Sequence, residues 1–392
     1  MSNQRRIYRL LQQHLDRQPV GFPAVWSRAD QRFLRKMFTP DEAELALHLS
    51  YQPEPLAAIA ARAAPALTAG ATGRMLERMF QKGAIAWKEK DGVGHWWLLP
   101  MVVGMYESQD GNLTPEFLAA VDPYLKTLGY GASLLAVSPP QMRTIPVNRA
   151  IPVEHAVATY DQIQTIVRES SGPIVVLPCI CRQRMALKHQ ACKRTTRTET
   201  CFGFGDMAVI VRRRGHGREV SRDEAWAILQ QNEADGLVLQ PANARRPGFV
   251  CSCCGCCCGM LSLQKRLPHP VDFWTSTFRA EVDASRCARC GKCVTRCQVN
   301  AATRPRRGTA RINPDRCIGC GLCVPTCKPA AIRLVRRAPE TMPPADDEAL
   351  LDEIAARKKS PWQRRRMLAR VFLGLRQPSS ASAEGSGVRP KV

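Results

Sequence analysis

The chain has 392 residues, 45% hydrophobic and 23% charged, with 57 Lys and Arg against 34 Asp and Glu for a net charge of +23. That length suits two or three domains with a sizeable core, and the absence of any apolar run of about 18 residues excludes a membrane-spanning helix. No apolar signal core of roughly 7–15 residues follows Met1, so the expected location is the cytoplasm, where the 18 cysteines read as metal ligands rather than disulfides.

In chain order, residues 27–100 read as helices followed by a hairpin. Ser27 is placed to cap a first helix through Phe33, Leu34, Met37 and Phe38. Thr39-Pro40-Asp41-Glu42 is a capping box opening a second helix to about Leu49. Pro55–Ala64 and Thr72–Lys82 follow as helices, and Ile85–Trp87 and His95–Leu98 flank the Asp91-Gly92 turn as two strands. This order resembles a winged helix-turn-helix. The resemblance implies a helix, residues 72–82, for a DNA groove, with Lys88 and Lys90 on phosphates. Against that, the helix carries few cations, so a docking or scaffolding module is the favoured alternative and DNA the lesser one.

Residues 113–130 read as helix, and Leu134–Val137 and Arg143–Val147 as strands. Thr159–Ser170 reads as helix, Pro173–Leu177 as a buried strand running into Cys179, residues 222–234 as a helix capped by Ser221, and Leu237–Leu239 as a strand. This middle region is therefore α+β, with cysteines at strand ends. Gly203-Phe204-Gly205-Asp206-Met207-Ala208 has the outline of a dinucleotide loop. With Met207–Val211 reading as a strand, it is expected to be a turn beside a metal site. His189 and His216 are expected on solvent-facing loops.

Ten cysteines fall in this middle region. Four are Cys179, Cys181, Cys192 and Cys201, set among Arg182, Arg184, Lys188, Lys193, Arg194 and Arg197. Six more, Cys251, Cys253, Cys254, Cys256, Cys257 and Cys258, crowd into eight positions with Gly255 between them. Core packing does not use thiols so densely, whereas a metal centre does. Iron–sulfur is the expected metal chemistry and zinc or copper thiolate the alternative. Adjacent cysteines point different ways, so each adjacent pair is expected to serve two centres. The ten could hold two further cubes with two to spare, or one larger cluster.

The most specific pattern comes next. Cys287-x2-Cys290-x2-Cys293-x3-Cys297 is repeated as Cys317-x2-Cys320-x2-Cys323-x3-Cys327, with Gly291, Gly319 and Gly321 easing the turns. A [4Fe–4S] cube needs four convergent thiolates; this spacing wraps three around one cube and sends the fourth to the other. A zinc ribbon would separate its C-x2-C pairs by a longer loop. Residues 287–334 resemble a bacterial two-cluster ferredoxin. That family's crossed pattern implies one [4Fe–4S] cluster on Cys287, Cys290, Cys293 and Cys327, and a second on Cys317, Cys320, Cys323 and Cys297. Gln298 and Lys328 stand where the family usually has Pro. More widely, the order of modules over roughly residues 35–335 resembles multi-cluster ferredoxin-like iron–sulfur proteins, which implies electron transfer and supplies no substrate.

Residues 271–340 hold 14 basic and 5 acidic groups, a balance that offsets anionic clusters and would steer an acidic redox partner of ferredoxin or flavodoxin type. Residues 338–348 read as a Pro-rich acidic linker. Residues 361–375 read as a basic amphipathic helix, able to lie on an anionic membrane or to pack on the protein's own body. Residues 376–392 read as disordered.

The expected organisation is thus a winged-helix-like domain (1–110), an α+β Cys-rich metal-binding domain (111–270), a dicluster ferredoxin domain (271–338), and a linker, helix and tail (339–392). The expected function is electron carrier or oxidoreductase component rather than a stand-alone enzyme. Two alternatives stay open: a redox-sensing DNA-binding regulator, and a reductase whose middle centre is catalytic. No nucleotide loop, hydrolase elbow or paired-His motif supplies another chemistry.

Overall fold

The computed structural model describes residues 3–150, 159–338 and 342–378. Most of the tail expected to be disordered, from residue 379 onward, lies outside the described residues, as do residues 339–341 of the acidic linker.

The N-terminal module runs α1 (Asn3–Arg17), α2 (Ala29–Met37), α3 (Pro40–Ala46), β1 (Glu54–Pro55), α4 (Leu56–Ala63), α5 (Ala69–Gln81), β2 (Ile85–Lys90) and β3 (Val93–Leu98). Its three strands are antiparallel in the order β1-β3-β2. The hairpin between β2 and β3 turns at Asp91 and Gly92, both left-handed, as a tight two-residue turn requires. The Thr39 capping box forms as expected: the Glu42 amide donates to Thr39 Oγ1 at 3.3 Å, and the Thr39 amide donates to Glu42 Oε2 at 2.8 Å. Ser27 does not cap α2. Arg28 holds that position in the left-handed region, and the Ser27 carbonyl instead accepts from Arg32.

Helices α6 (Pro115–Leu125) and α7 (Leu128–Ala136) extend this module, with Phe22 packed on Tyr124 at 4.6 Å. Leu134–Val137 is therefore not the expected strand. Thr127 caps α7 by accepting from the Tyr130 amide, and the helix runs through Ala136. Nor is Arg143–Val147 a sheet strand: beyond single bridges at Met142 and Arg143, it is held by a buried ion pair of Arg143 with Asp161 at 3.2 Å.

The middle module comprises α8 (Ile163–Glu169), β4 (Ile174–Pro178), α9 (Ile180–Leu187), β5 (Glu199–Phe204), α10 (Gly205–Arg213), β6 (Arg218–Glu219), α11 (Arg222–Asp235), β7 (Val238–Pro241), β8 (Phe249–Cys253) and α12 (Gly259–Arg266). Its five strands are antiparallel in the order β6-β4-β5-β8-β7. Here the reading of Met207–Val211 as a strand is overturned, because those residues lie in α10. The glycine-rich stretch does join a strand to a helix, but β5 runs antiparallel to both neighbours, whereas a dinucleotide unit needs parallel strands. Asp206 also puts a carboxylate in the first turn of α10, where a phosphate would have to sit.

The remaining elements are β9 (Phe278–Val282), α13 (Lys292–Arg296), β10 (Ala302–Thr303), β11 (Arg311–Ile312), β12 (Ile332–Arg336), α14 (Asp347–Ala356) and α15 (Pro361–Phe372). Strands β9 and β12 pair antiparallel and bracket both cysteine repeats. One continuous core joins this segment to the middle sheet, with Val176, Phe202 and Leu239 in the same cluster as Phe278, Ile318 and Leu334. Helix α14 crosses back to the N-terminal module, where Glu348 pairs with Lys88 and the Tyr51 hydroxyl donates to Asp352 at 3.0 Å. Helix α15 packs on the body through Met367, Leu368 and Val371 and leaves Phe372 and Leu375 exposed. Among the described residues, no helix is long and apolar enough to cross a membrane.

Candidate metal centres

The two cysteine repeats are built alike. In each copy the residue before the second cysteine (Arg289 or Gly319) and the residue after it (Gly291 or Gly321) adopt positive φ, which curls successive thiols toward a common centre. Copy two needs glycine at 319, because a Cβ there would meet the Phe278 carbonyl oxygen at 2.2 Å; copy one is exposed at that point and tolerates Arg289. Backbone amides turn toward the sulfurs: Ala280 to Cys317 at 3.3 Å, Ala301 to Cys297 at 3.2 Å and Ala331 to Cys327 at 3.3 Å. Such donors stabilise thiolates and bound clusters. Cys297, last in copy one, lies close enough to Cys317, Cys320 and Cys323 for its charge to raise their thiol pKa values, with burial the larger cause. Cys287 and Cys290 act likewise on Cys293.

The ten middle cysteines separate into six and four. Six run in a closed sequence of neighbouring thiols, each near enough to shift the next one's titration, from Cys179 to Cys181, Cys258, Cys253, Cys251, Cys201 and back to Cys179. The fold explains the ring. Cys179 caps α9 and Cys181 lies in its first turn, while Cys258 caps α12, so two helix N-termini point at the sulfurs. Cys251 and Cys253 share one face of β8, and the β5–β8 register brings Cys201 beside Cys251.

The other four, Cys192, Cys254, Cys256 and Cys257, have sulfurs that all lie within 4.8 Å of one another. Cys192 comes from the loop after α9, and the rest from the turn between β8 and α12. Cys253 and Cys254 serve different sets, as do Cys257 and Cys258, in keeping with the expected divergence of adjacent thiols. Cys256 and Cys257 do not diverge: their sulfurs are 3.8 Å apart in the same set. Between ring and quartet sits Arg182, 5% exposed, donating to the Ser252 carbonyl at 2.8 Å and to Thr200. Burial opposes its charge, but Cys179, Cys201 and Cys254 more than offset that, and the guanidinium stays protonated.

Residues 279–328 match the family model of a 4Fe-4S dicluster domain. This segment is of iron–sulfur, ferredoxin type. No curated protein and no solved structure matches the chain. The dicluster segment is joined to the middle module at Gln298, the residue standing in place of the family's proline. Its side-chain oxygen accepts from the Gly255 amide at 2.8 Å, and its amide donates to the Gly236 carbonyl at 2.9 Å. Proline could make neither bond. Gly255 lies so close that a Cβ would meet the Gln298 carbonyl oxygen at 2.3 Å. The residue after Cys297 is thereby pressed against the turn carrying the quartet. The Gln at a proline position was the available signal for this seam; Asn232, buried on α11 and donating to Thr200 and Ser252, left none.

All six ring cysteines line a cavity of about 1130 Å³, and none of the quartet does. Its walls come from the N-terminal module (Trp97 and Val102), the middle module (Phe204 and Met207) and the α14 segment (Leu350 and Asp347). Two acids face it. Burial pushes the Glu107 carboxyl up to about 7, with Cys179 adding to the effect. Burial also pushes Asp347 up to about 7, helped by Asp346 and Glu348. His216, expected on a solvent-facing loop, instead lines the cavity 3.7 Å from Asp110.

Proposed function

We propose that this chain is an iron–sulfur electron-transfer protein with two [4Fe–4S] clusters on the dicluster segment and a further cysteine-held centre on the six-thiol ring. When bound, such clusters supply one-electron transfer. Cys287, Cys290, Cys293 and Cys327 would hold one, and Cys317, Cys320, Cys323 and Cys297 the other. The observation that carries the reading is the placement of the ring, which closes one side of a cavity while the same module is clamped to the dicluster segment through Gln298. That placement favours the reductase variant, in which a molecule in the cavity exchanges electrons at the ring.

Cys290 is exposed, and the segment that carries it holds the exposed cations Arg286, Arg289, Lys292, Arg304, Arg306 and Arg307. An acidic ferredoxin- or flavodoxin-type partner would dock on this face and be steered by it. The reading suits a reducing compartment, where free thiols persist.

The arrangement of the N-terminal module supports the winged-helix reading and its docking role over DNA binding. Two of the cations a DNA complex would draw on are engaged within the protein, Lys82 by Glu42 at 2.7 Å and Lys88 by Glu348. The hairpin is also covered, with the Arg213 guanidinium 3.9 Å from the centre of the Trp87 ring.

The test is iron and acid-labile sulfide per chain after anaerobic purification, beside low-temperature EPR of the reduced protein. Cys290→Ser should remove one ferredoxin-type signal and leave the ring's signal intact. Colourless protein without sulfide would end this reading.

A further inference from the structure

The sulfur quartet is too tight for a cube. A [4Fe–4S] cluster places each thiolate on a different iron, which forces the four sulfurs apart around the cube. A single tetrahedral zinc with Zn–S of about 2.3 Å instead sets the sulfurs about 3.8 Å from one another. In the quartet, Cys192 lies 3.6 Å from Cys254 and 3.7 Å from Cys256, and Cys256 lies 3.8 Å from Cys257. These match three of the six edges of a one-ion tetrahedron, and the other three are all under 4.8 Å. The dicluster segment serves as an internal control, since among the described residues its eight cysteines show no such grouping within 4.8 Å.

We propose that Cys192, Cys254, Cys256 and Cys257 bind one tetrahedral metal ion, zinc by preference, and not an iron–sulfur cube. Four thiolates on a divalent ion leave two negative charges, and the chain provides for them. The Arg182 guanidinium lies close enough for its charge to favour the Cys254 thiolate, and the Arg194 amide donates to Cys192 at 3.5 Å. None of the four lines the cavity, as suits a structural rather than a catalytic zinc site. The ion's work would be mechanical. It would pin the turn whose outer cysteines, Cys253 and Cys258, belong to the ring and whose Gly255 abuts Gln298. Zinc there would hold the ring and the dicluster segment in fixed relation without itself changing oxidation state.

This inference deepens the proposed function and rests on the ring, rather than the quartet, being the middle redox centre. The experiment uses the full-length protein purified without oxygen, with zinc, iron and sulfide measured per chain and X-ray absorption recorded at the zinc edge. The expected result is about one zinc per chain in a shell of four sulfurs at about 2.3 Å, with no iron neighbour. Cys192→Ser with Cys256→Ser should abolish the zinc and leave the iron count unchanged. A lone tetrahedral iron at full occupancy, without sulfide of its own, would equally support a one-ion set. The proposal is overturned if the protein lacks a lone tetrahedral ion and the double variant loses about four irons with their sulfide. Should that variant fail to fold, the absorption spectrum of the unaltered protein decides alone. Failure of the electron-transfer reading is distinguishable, because it would show as absent iron and sulfide whatever the zinc content.

Discussion

The dicluster segment and the middle module both gather cysteines together, but they do so by different routes. In the dicluster segment, each run of three ligands lies within seven residues and is curled by local left-handed turns at Arg289 and Gly291 or Gly319 and Gly321. The spacing is the geometry. In the middle module the ring collects sulfurs from the end of β4, from β5, from β8 and from the cap of α12, over 80 residues from Cys179 to Cys258. No spacing encodes that circuit; strand register does. The difference teaches that a local cluster tolerates change around it, whereas the ring depends on the whole sheet.

The largest expected effect therefore comes from the ring. Cys253→Ser should remove the ring centre's spectroscopic signal while both dicluster signals survive. Loss of all three together, in EPR of the reduced protein, would show that the two regions are not independent.

Next in size is the seam. Gly255→Ala puts a methyl group 2.3 Å from the Gln298 carbonyl oxygen and should cost about 1–3 kcal/mol in chemical denaturation. Because the clash lies between regions, it should slow electron flow between their centres more than it alters either signal. An unchanged rate would mean that the seam is only packing.

The smallest effect concerns pH. Asp347 titrates near 7 in the folded chain against 3.8 as a free side chain, so folding favours its protonated form. Its contribution is fully present below pH 3.8 and is lost as pH rises through about 7. Asp347→Asn retains an oxygen for the Gly248 amide, which donates to the carboxylate at 3.1 Å. The variant should flatten the fall in stability across that window, read as melting temperature against pH. A slope identical to the parent's would place the titration elsewhere.

Much of the local architecture was legible beforehand. The Thr39 capping box, the Asp91-Gly92 hairpin, the strand entering Cys179 and the helix expected over 222–234 all form, because each depends on neighbours within a few residues. Two of the errors share one cause. Leu134–Val137 and Met207–Val211 are short apolar runs, for which periodicity cannot tell strand from buried helix. The Thr127 cap decided the first and the β5-to-α10 turn the second. Arg143–Val147 was misread as a strand because the Arg143 ion pair with Asp161 exists only once separate segments fold together.

What the amino-acid order determined by itself was the iron–sulfur character of residues 279–328, since ligand spacing and turn residues act over a handful of bonds. It also supplied ten further thiols and the Gln in place of proline at 298. Only the tertiary structure divided those thiols into a ring and a quartet, opened a cavity on the ring alone, and turned Gln298 toward Gly255. Those outcomes depend on the register of β5 with β8 and on which surfaces meet, and distances between such distant residues are set by packing rather than by spacing along the chain.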